Sequence, residues 1–283
     1  MSQESLRKFL YMDKRIIYLL MGIAIAVPMF FPIGLPVTVL KSTQDFYNEM
    51  EKLHPRDIVW VACEFSPSQT AEFQPVIMSI FKQCFDKDLR IVISAFSTQG
   101  PGLGMEWAKP MVEEYNAVYG VDYINIGYRA SMSTIMDNAR RDLIDAYSDR
   151  DAYQTPLQSF PIMADLTKAS DISMVIIFTG GSPGCGEYIS NWQTTGDVMN
   201  MITVASAVQI PVENVLYQAG MLQGMIGGMS GAAAYEKLTG RLGAATQGLD
   251  SQGLGHLVII VLIIIGNIAY FWLKRLEEQA KVL

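Results

Sequence analysis

The sequence is short of the residues that most often announce a site. It has 3 Cys and 2 His in 283 residues. Three Cys exclude a disulfide-dense scaffold, and two His give no basis for a His-rich metal centre. Charged side chains make up 17% of the chain, against about 25% in an ordinary soluble protein. Basic residues are the scarcer sign: 21 Lys and Arg stand against 28 Asp and Glu, a net charge of −7. A general nucleic-acid binder carries a basic footprint, so no nucleic-acid partner is expected. The phosphate-binding patterns GxGxxG and GxxxxGK[ST] are missing, and so is a D-x-[DN]-x-[DN]-G calcium loop. Cys63, Cys84 and Cys185 lack metal-ligand spacing. No cofactor and no metal is therefore expected. Disorder is excluded from the other direction, because half of the residues are apolar.

The charge deficit is concentrated in two places. Ile16 to Leu40 and Ser251 to Leu273 contain no charged residue. About 20 apolar residues carry a helix across the hydrocarbon core. The second stretch, LGHLVIIVLIIIGNIAYFWL, meets that length and ends on Tyr270, Trp272, Lys274 and Arg275, where interfacial anchors belong. It predicts a transmembrane helix over 254–273. The first stretch predicts a helix from about Asp13 to about Phe31. Pro28, Pro32 and Pro36 then favour an extended exit, so residues 16–40 read as an anchor with a Pro-rich exit. A cleavable signal peptide is the rival, since Ala24-Ile25-Ala26 has the small-x-small form, but the apolar run continues past it.

Both flanks are basic. Residues 1–15 hold Arg7, Lys8, Lys14 and Arg15, and residues 274–283 hold Lys274, Arg275 and Lys281, leaving 14 basic and 24 acidic residues in 41–253. Basic flanks stay inside. The expected topology in a cell (inner) membrane thus has both termini cytoplasmic and an extracytoplasmic domain over 41–240. A Gly-rich linker over 241–253 would join that domain to the second anchor.

Between the anchors, short apolar runs alternate with helical patterns. The runs are Asp57–Cys63, Leu89–Phe96, Asp122–Tyr128, Ile172–Thr179 and Met199–Ser206. Continuous rather than alternating apolar character suits strands buried on both faces. The expected fold is α/β: a Rossmann-like, mostly parallel open sheet of about five strands, flanked by N- and C-terminal transmembrane helices. Ser42-Thr43-Gln44-Asp45 has the form of a capping box opening a short helix.

Ligands in such sheets sit at the carboxyl ends of the strands. Those ends are Glu64/Ser66, Ser97-Thr98-Gln99-Gly100, Tyr128-Arg129-Ala130-Ser131 and Thr179-Gly180-Gly181-Ser182-Pro183-Gly184. The candidate ligand residues are Gly180, Gly181, Ser182 and Gly184 in the Gly-rich turn, with Arg129 and Ser131 nearby. Such a turn can aim backbone N–H groups at an anion, or simply pack helix on sheet. Arg129 can pair a phosphate or carboxylate, or bond a carboxylate of this acidic domain. Ser131 or Ser182 as a nucleophile is a further alternative, although His54 and His256 are poorly placed to serve as its base.

Val215–Ala234 carries no charge and places Gly220, Gly224 and Gly228, and also Gly227 and Gly231, four residues apart. On a helix these spacings put small residues on one face, where another backbone can approach. An oligomer interface, an intradomain packing helix or Gly-rich loop, and a re-entrant membrane segment are the competing readings.

The stretches DKRIIYLLMGIAIAVPMFFPIGLPV, AEFQPVIMSIFKQCF, NIGYRAS and MLQGMIGGMSGAAAYEKL together resemble an uncharacterised family of prokaryotic two-anchor membrane proteins with a Rossmann-like central domain. The family carries Lys-Pro-Gly where this chain has Arg129-Ala130-Ser131. The resemblance implies architecture and no reaction, cofactor or catalytic residue. The expected role is a non-enzymatic structural or assembly subunit in the bilayer, forming a homo-oligomer or joining other membrane protein subunits. The alternatives are a small-ligand sensor module for an anion or nucleotide-like molecule, and a membrane-tethered serine hydrolase.

Overall fold

The computed structural model describes residues 13–31, 33–193 and 199–282. Most of the basic N-terminal tail, including Arg7 and Lys8, lies outside the described residues. The chain divides into two compact units, Val37–Ala245 and the paired segments Met1–Pro36 and Thr246–Leu283.

The larger unit is built on a six-stranded parallel sheet, ordered β3-β2-β1-β4-β5-β6. Its strands are β1 (Ile58–Glu64), β2 (Arg90–Ala95), β3 (Tyr123–Tyr128), β4 (Met174–Thr179), β5 (Met201–Ala205) and β6 (Gly224–Gly227). The five expected runs all form strands, and β1, β2, β4 and β5 are buried throughout. Helix α2 (Lys41–Glu51) precedes them, α3 (Thr70–Asp86), α4 (Gly100–Glu114), α5 (Met132–Asn138), α6 (Leu143–Ala146), α7 (Cys185–Trp192) and α8 (Ile210–Gln218) lie in the connections between them, and α9 (Gly228–Leu238) follows the last. α3 packs with α4 and α9, while α7 packs with α5 and α8.

Side chains alternate across each strand, so β1 feeds two cores. Ile58, Trp60 and Ala62 join Met136, Tyr147, Tyr188 and Trp192 in one cluster. Trp60 meets the rings of Tyr147 and Trp192 edge-on at 5.4 and 5.8 Å. Beyond the strand, Phe65 stacks on Trp107 of α4 at 5.0 Å and meets Phe73 of α3. These apolar faces cover the sheet from both sides, as parallel pairing requires.

Two local expectations are corrected here. Ser42 does not cap α2: the helix starts at Lys41 with Leu40 as N-cap and no side-chain cap, and Asp45 instead accepts from Lys41 at 2.6 Å. The glycine ladder is not a helix face. Gly220 closes a turn at φ +74°, Gly224 and Gly227 bound strand β6, and Gly228 opens α9, where Gly231 also lies. The backbone that comes close is the chain's own: a Cβ on Gly224 would lie 2.4 Å from Cα and 2.5 Å from N of Phe46 in α2. Parallel pairing with β5 overrides the helical spacing of Val215–Ala234.

The smaller unit contains α1 (Lys14–Phe30) and most of α10 (Ala244–Val282). Ala244–Leu276 is long and apolar enough to cross a membrane, and it is the one such helix among the described residues. α1 forms where expected, with Asp13 accepting from the Arg15 N–H. Its 17 residues lie at the short end of the range of about 17–25 that a span takes. The expected linker over 241–253 is also corrected, because residues 244–253 are already helical. The Glu236 carboxylate accepts the N–H groups of Gly243 and Ala245 at 2.9 and 3.0 Å, satisfying donors that a helix start leaves open. In the smaller unit, Asp250 of α10 accepts the N–H groups of Ile33, Gly34 and Leu35 at 2.9, 2.8 and 2.9 Å.

Gly224→Ala places a methyl group against backbone that cannot swing aside. It should destabilise the domain by about 1–3 kcal/mol. Gly102→Ala in α4, where a Cβ meets nothing within 4 Å, should be neutral or stabilising by up to about 1 kcal/mol. Thermal melts of the detergent-solubilised protein check both, and equal melting of the Gly224 variant and wild type would refute the close approach.

Candidate functional site

β1 pairs with β2 on one side and with β4 on the other. The chain lays down β1, β2 and β3 outward in one direction, then returns through residues 129–173 to start again at β4. The connections after β1 and β4 therefore run to opposite faces and leave a crevice between their carboxyl ends. A cavity of about 230 Å³ lies there, lined by Glu64, Phe65, Ser66, Gln69, Ser97, Thr98, Gln99, Gly180, Gly181 and Ser182. Three of the four expected strand ends thus converge. The fourth does not, because β3 is an edge strand, two places from β1.

Glu64 closes β1 and is 2% exposed. Its carboxylate accepts the N–H groups of Phe96 and Ser97, both at 2.8 Å, and the Tyr188 hydroxyl at 2.6 Å. One side chain so ties β1 to the β2–α4 turn and to α7. Burial pushes its pKa above the ordinary value, against the pull of these hydrogen bonds. The Ser97 hydroxyl donates to the Cys63 carbonyl at 2.9 Å. The Gln69 Oε1 accepts from the backbone N–H and the hydroxyl of Ser66, which turns its carboxamide toward Gly180. A Cβ at Gly180 would lie 2.9 Å from Gln69 Cδ, whereas one at Gly181 would meet nothing within 4 Å.

Gly180, Gly181 and Ser182 line the cavity; Gly184, Arg129 and Ser131 do not. Gly184 is the N-cap of α7, and its N–H donates to Glu187 Oε2 at 3.0 Å while Ser182 donates to Oε1 at 3.1 Å. Glu213 of α8 is 2% exposed beside it, and its Oε2 has no hydrogen-bond partner. Its pKa is also raised by burial. Two of the chain's own carboxylates therefore occupy the end of α7 that would attract an anion.

Among the described residues, Arg129 bonds backbone carbonyls rather than an acidic side chain. Its Nε and Nη2 donate to the Tyr147 carbonyl at 3.0 and 2.7 Å, Nη1 to Tyr128 at 2.8 Å, and Nη2 also to Arg150 at 2.6 Å. The guanidinium holds the chain that covers edge strand β3, a role for which three backbone carbonyls suffice. Ser131 is exposed, with φ +62°, at the start of α5.

Gly180-Gly181-Ser182-Pro183-Gly184 spells GxSxG between a strand and a helix, the setting of a nucleophile elbow. Three features separate it from one. The residue after Ser182 is proline, which has no N–H to offer an oxyanion. Ser182 is not among the residues with positive φ. His54 sits before β1, at the end of the strand away from the cavity, beside Asp57 at 3.9 Å. Cys63, Cys84 and Cys185 are buried and free. No group of three or more His, Cys, Asp or Glu among the described residues is placed to hold a metal ion.

No family model, curated protein or solved structure matches the chain. Fold and site define its class by themselves: a Rossmann-like α/β domain on a chain whose C-terminal helix is long and apolar enough to span a membrane.

The two buried carboxyls set a pH dependence. Glu64 and Glu213 bind a proton more tightly in the folded state than at the ordinary value near 4.5. Between that value and their raised folded values the native state carries more protons than the unfolded chain. Their contribution to stability therefore falls as pH rises through this window and is greatest below it. Glu64→Gln should cost stability at every pH, by about 1–3 kcal/mol for the mismatched acceptor. It should also flatten the decline that sets in above the ordinary carboxyl value near 4.5. Melting curves on both sides of that value check it, and parallel slopes for variant and wild type would contradict the assignment.

Proposed function

We propose that the chain is a membrane-anchored binding protein whose α/β domain holds a small, polar, non-anionic molecule in the cleft between β1 and β4. The observation that carries this reading is the coincidence of the cavity with the sheet's switch point, the place where folds of this kind take their ligands. The lining offers the hydroxyls of Ser66, Ser97, Thr98 and Ser182, the carboxamides of Gln69 and Gln99, and the open backbone at Gly181. No Lys or Arg lines it, which disfavours the phosphate or carboxylate that the Gly-rich turn suggests in sequence. At about 230 Å³ the cavity is smaller than the roughly 300–1,000 Å³ of drug-sized sites, so the ligand is small.

Gly181→Leu should fill the cleft without disturbing the fold. In a thermal-shift screen of sugars, polyols, nucleosides and amino alcohols, a ligand at 100-fold its Kd should stabilise wild type by about 2.7 kcal/mol. The variant should melt normally alone and show no such gain. If no compound separates the two proteins, the reading falls.

A subunit role in a homo-oligomer or larger membrane assembly is the second reading. Val212 and Val215 favour it: they are 59% and 66% exposed, three residues apart on one face of α8.

For the anchor, the reading is a two-helix hairpin of α1 and α10 in a cell membrane, with both termini cytoplasmic. The basic tails support the orientation, and a Cβ on Gly255 of α10 would lie 3.7 Å from Ile25 of α1. External protease on spheroplasts should then remove the α/β domain and leave both tails protected. Digestion only after lysis would place the domain in the cytoplasm.

A further inference from the structure

We propose that the molecule held in the cleft carries a protonated amine, and that the Glu64 carboxylate is its counter-charge. The inference rests on the binding reading above and names the chemistry that the cleft selects.

Glu64 is a carboxylate at the floor of a cavity and almost wholly removed from water. Its partners are two backbone N–H groups and one hydroxyl, all neutral. A carboxylate offers about four lone-pair positions. Oε1 takes two of these three donors and Oε2 takes one, and the Ser97 hydroxyl, also neutral, lies close enough to favour the ionised form as well. No ion pair reaches Glu64 among the described residues. Buried charges are ordinarily paired, because hydrogen bonds from neutral groups return only part of the hydration lost.

The surroundings carry the same sign. Glu187, in the first turn of α7, bonds Ser182 and Gly184 of the Gly-rich turn, and Glu213 lies buried beside Gly184. From the β1 and β2 sides come only uncharged groups: Ser66, Gln69, Ser97, Thr98 and Gln99. Glu64 is the one charged side chain in the lining, and a cleft whose charge has one sign concentrates ions of the other. The complementary ligand is therefore a cation. It is not a metal ion, which needs several ligating side chains converging on one point, and no such group is present among the described residues. An ammonium needs one carboxylate and a few neutral acceptors, which Glu64 and the hydroxyl oxygens of Ser97 and Ser66 supply. Gln69 and Thr98 are left for hydroxyls on the rest of the molecule, which describes an amino sugar, an amino alcohol or a short polyamine.

Matched pairs that differ only by amine and hydroxyl test this on the full-length protein in detergent: glucosamine against glucose, ethanolamine against ethylene glycol, and putrescine against butane-1,4-diol, by titration calorimetry near neutral pH. For at least one pair the amine should bind about tenfold tighter or better. That preference should disappear in Glu64→Gln, and Gly181→Leu should abolish binding of both members. If alcohol and amine bind equally and Gly181→Leu blocks both, the cleft is a binding site and the amine inference is overturned. It is equally overturned if amine preference survives in Glu64→Gln. If no member of any pair binds wild type, both the inference and the reading beneath it fail.

Discussion

Parallel pairing of β1 with both β2 and β4 forces the chain to change its direction of winding once, and the site follows from that reversal. Crossovers between parallel strands keep one hand. Strands added to the left and to the right of β1 therefore send their helices to opposite faces of the sheet. The separate helix groupings, α3 with α4 and α9 and α7 with α5 and α8, are the consequence. At the carboxyl edge the two sets of connections part, and nothing in regular secondary structure fills the gap. Three turns meet there without any of them being shaped for it individually.

A gap at this edge needs something to stop its turns from fraying, and Glu64 supplies it. Its carboxylate bridges the β2–α4 turn and Tyr188 of α7, elements on the two sides of the crevice. An amide or an alcohol in its place lacks enough acceptor positions for three donors. The carboxylate is thus fixed by the architecture as much as by any ligand. Holding the crevice together places a carboxyl group in its lining, so the polarity of the site is inherited from the way the reversal is pinned.

Strand-forming segments were legible in the sequence because burial on both faces writes itself as unbroken runs such as ISMVIIFT. The strand ends that line the cleft were legible for the same reason. The order of the strands was not, since it depends on contacts distant along the chain. Without it, Arg129 and Ser131 at the end of β3 look equivalent to Gly180 and Ser182 at the end of β4. Strand β6 was missed because its four residues, GMIG, include two glycines set in a segment of helical spacing. Gly224 is there so that α2 can lie against the strand, a demand set by Phe46, far away in sequence. The helical start of α10 escaped composition as well. Gly248 and Gly253 suggest a linker, but a helix propagates through single glycines at about 1 kcal/mol each once it is capped and continuous with a long apolar span.

The acidic balance of the chain has a structural use that repeats. Glu64, Glu236 and Asp250 each accept two or three backbone N–H groups where the chain leaves or enters regular structure. At Asp250 the argument is sharpest. Pro36 keeps Leu35 out of a helical conformation, so the N–H groups of Ile33, Gly34 and Leu35 have no helix to satisfy them. Unpaired donors next to an apolar span are costly, and so is a carboxylate that is 1% exposed. Brought together at 2.8–2.9 Å, the two penalties cancel. The Pro-rich segment can then stay extended beside α10 while remaining tightly held. Either feature alone would disfavour the smaller unit, and their pairing lets a short N-terminal helix dock on a long apolar one.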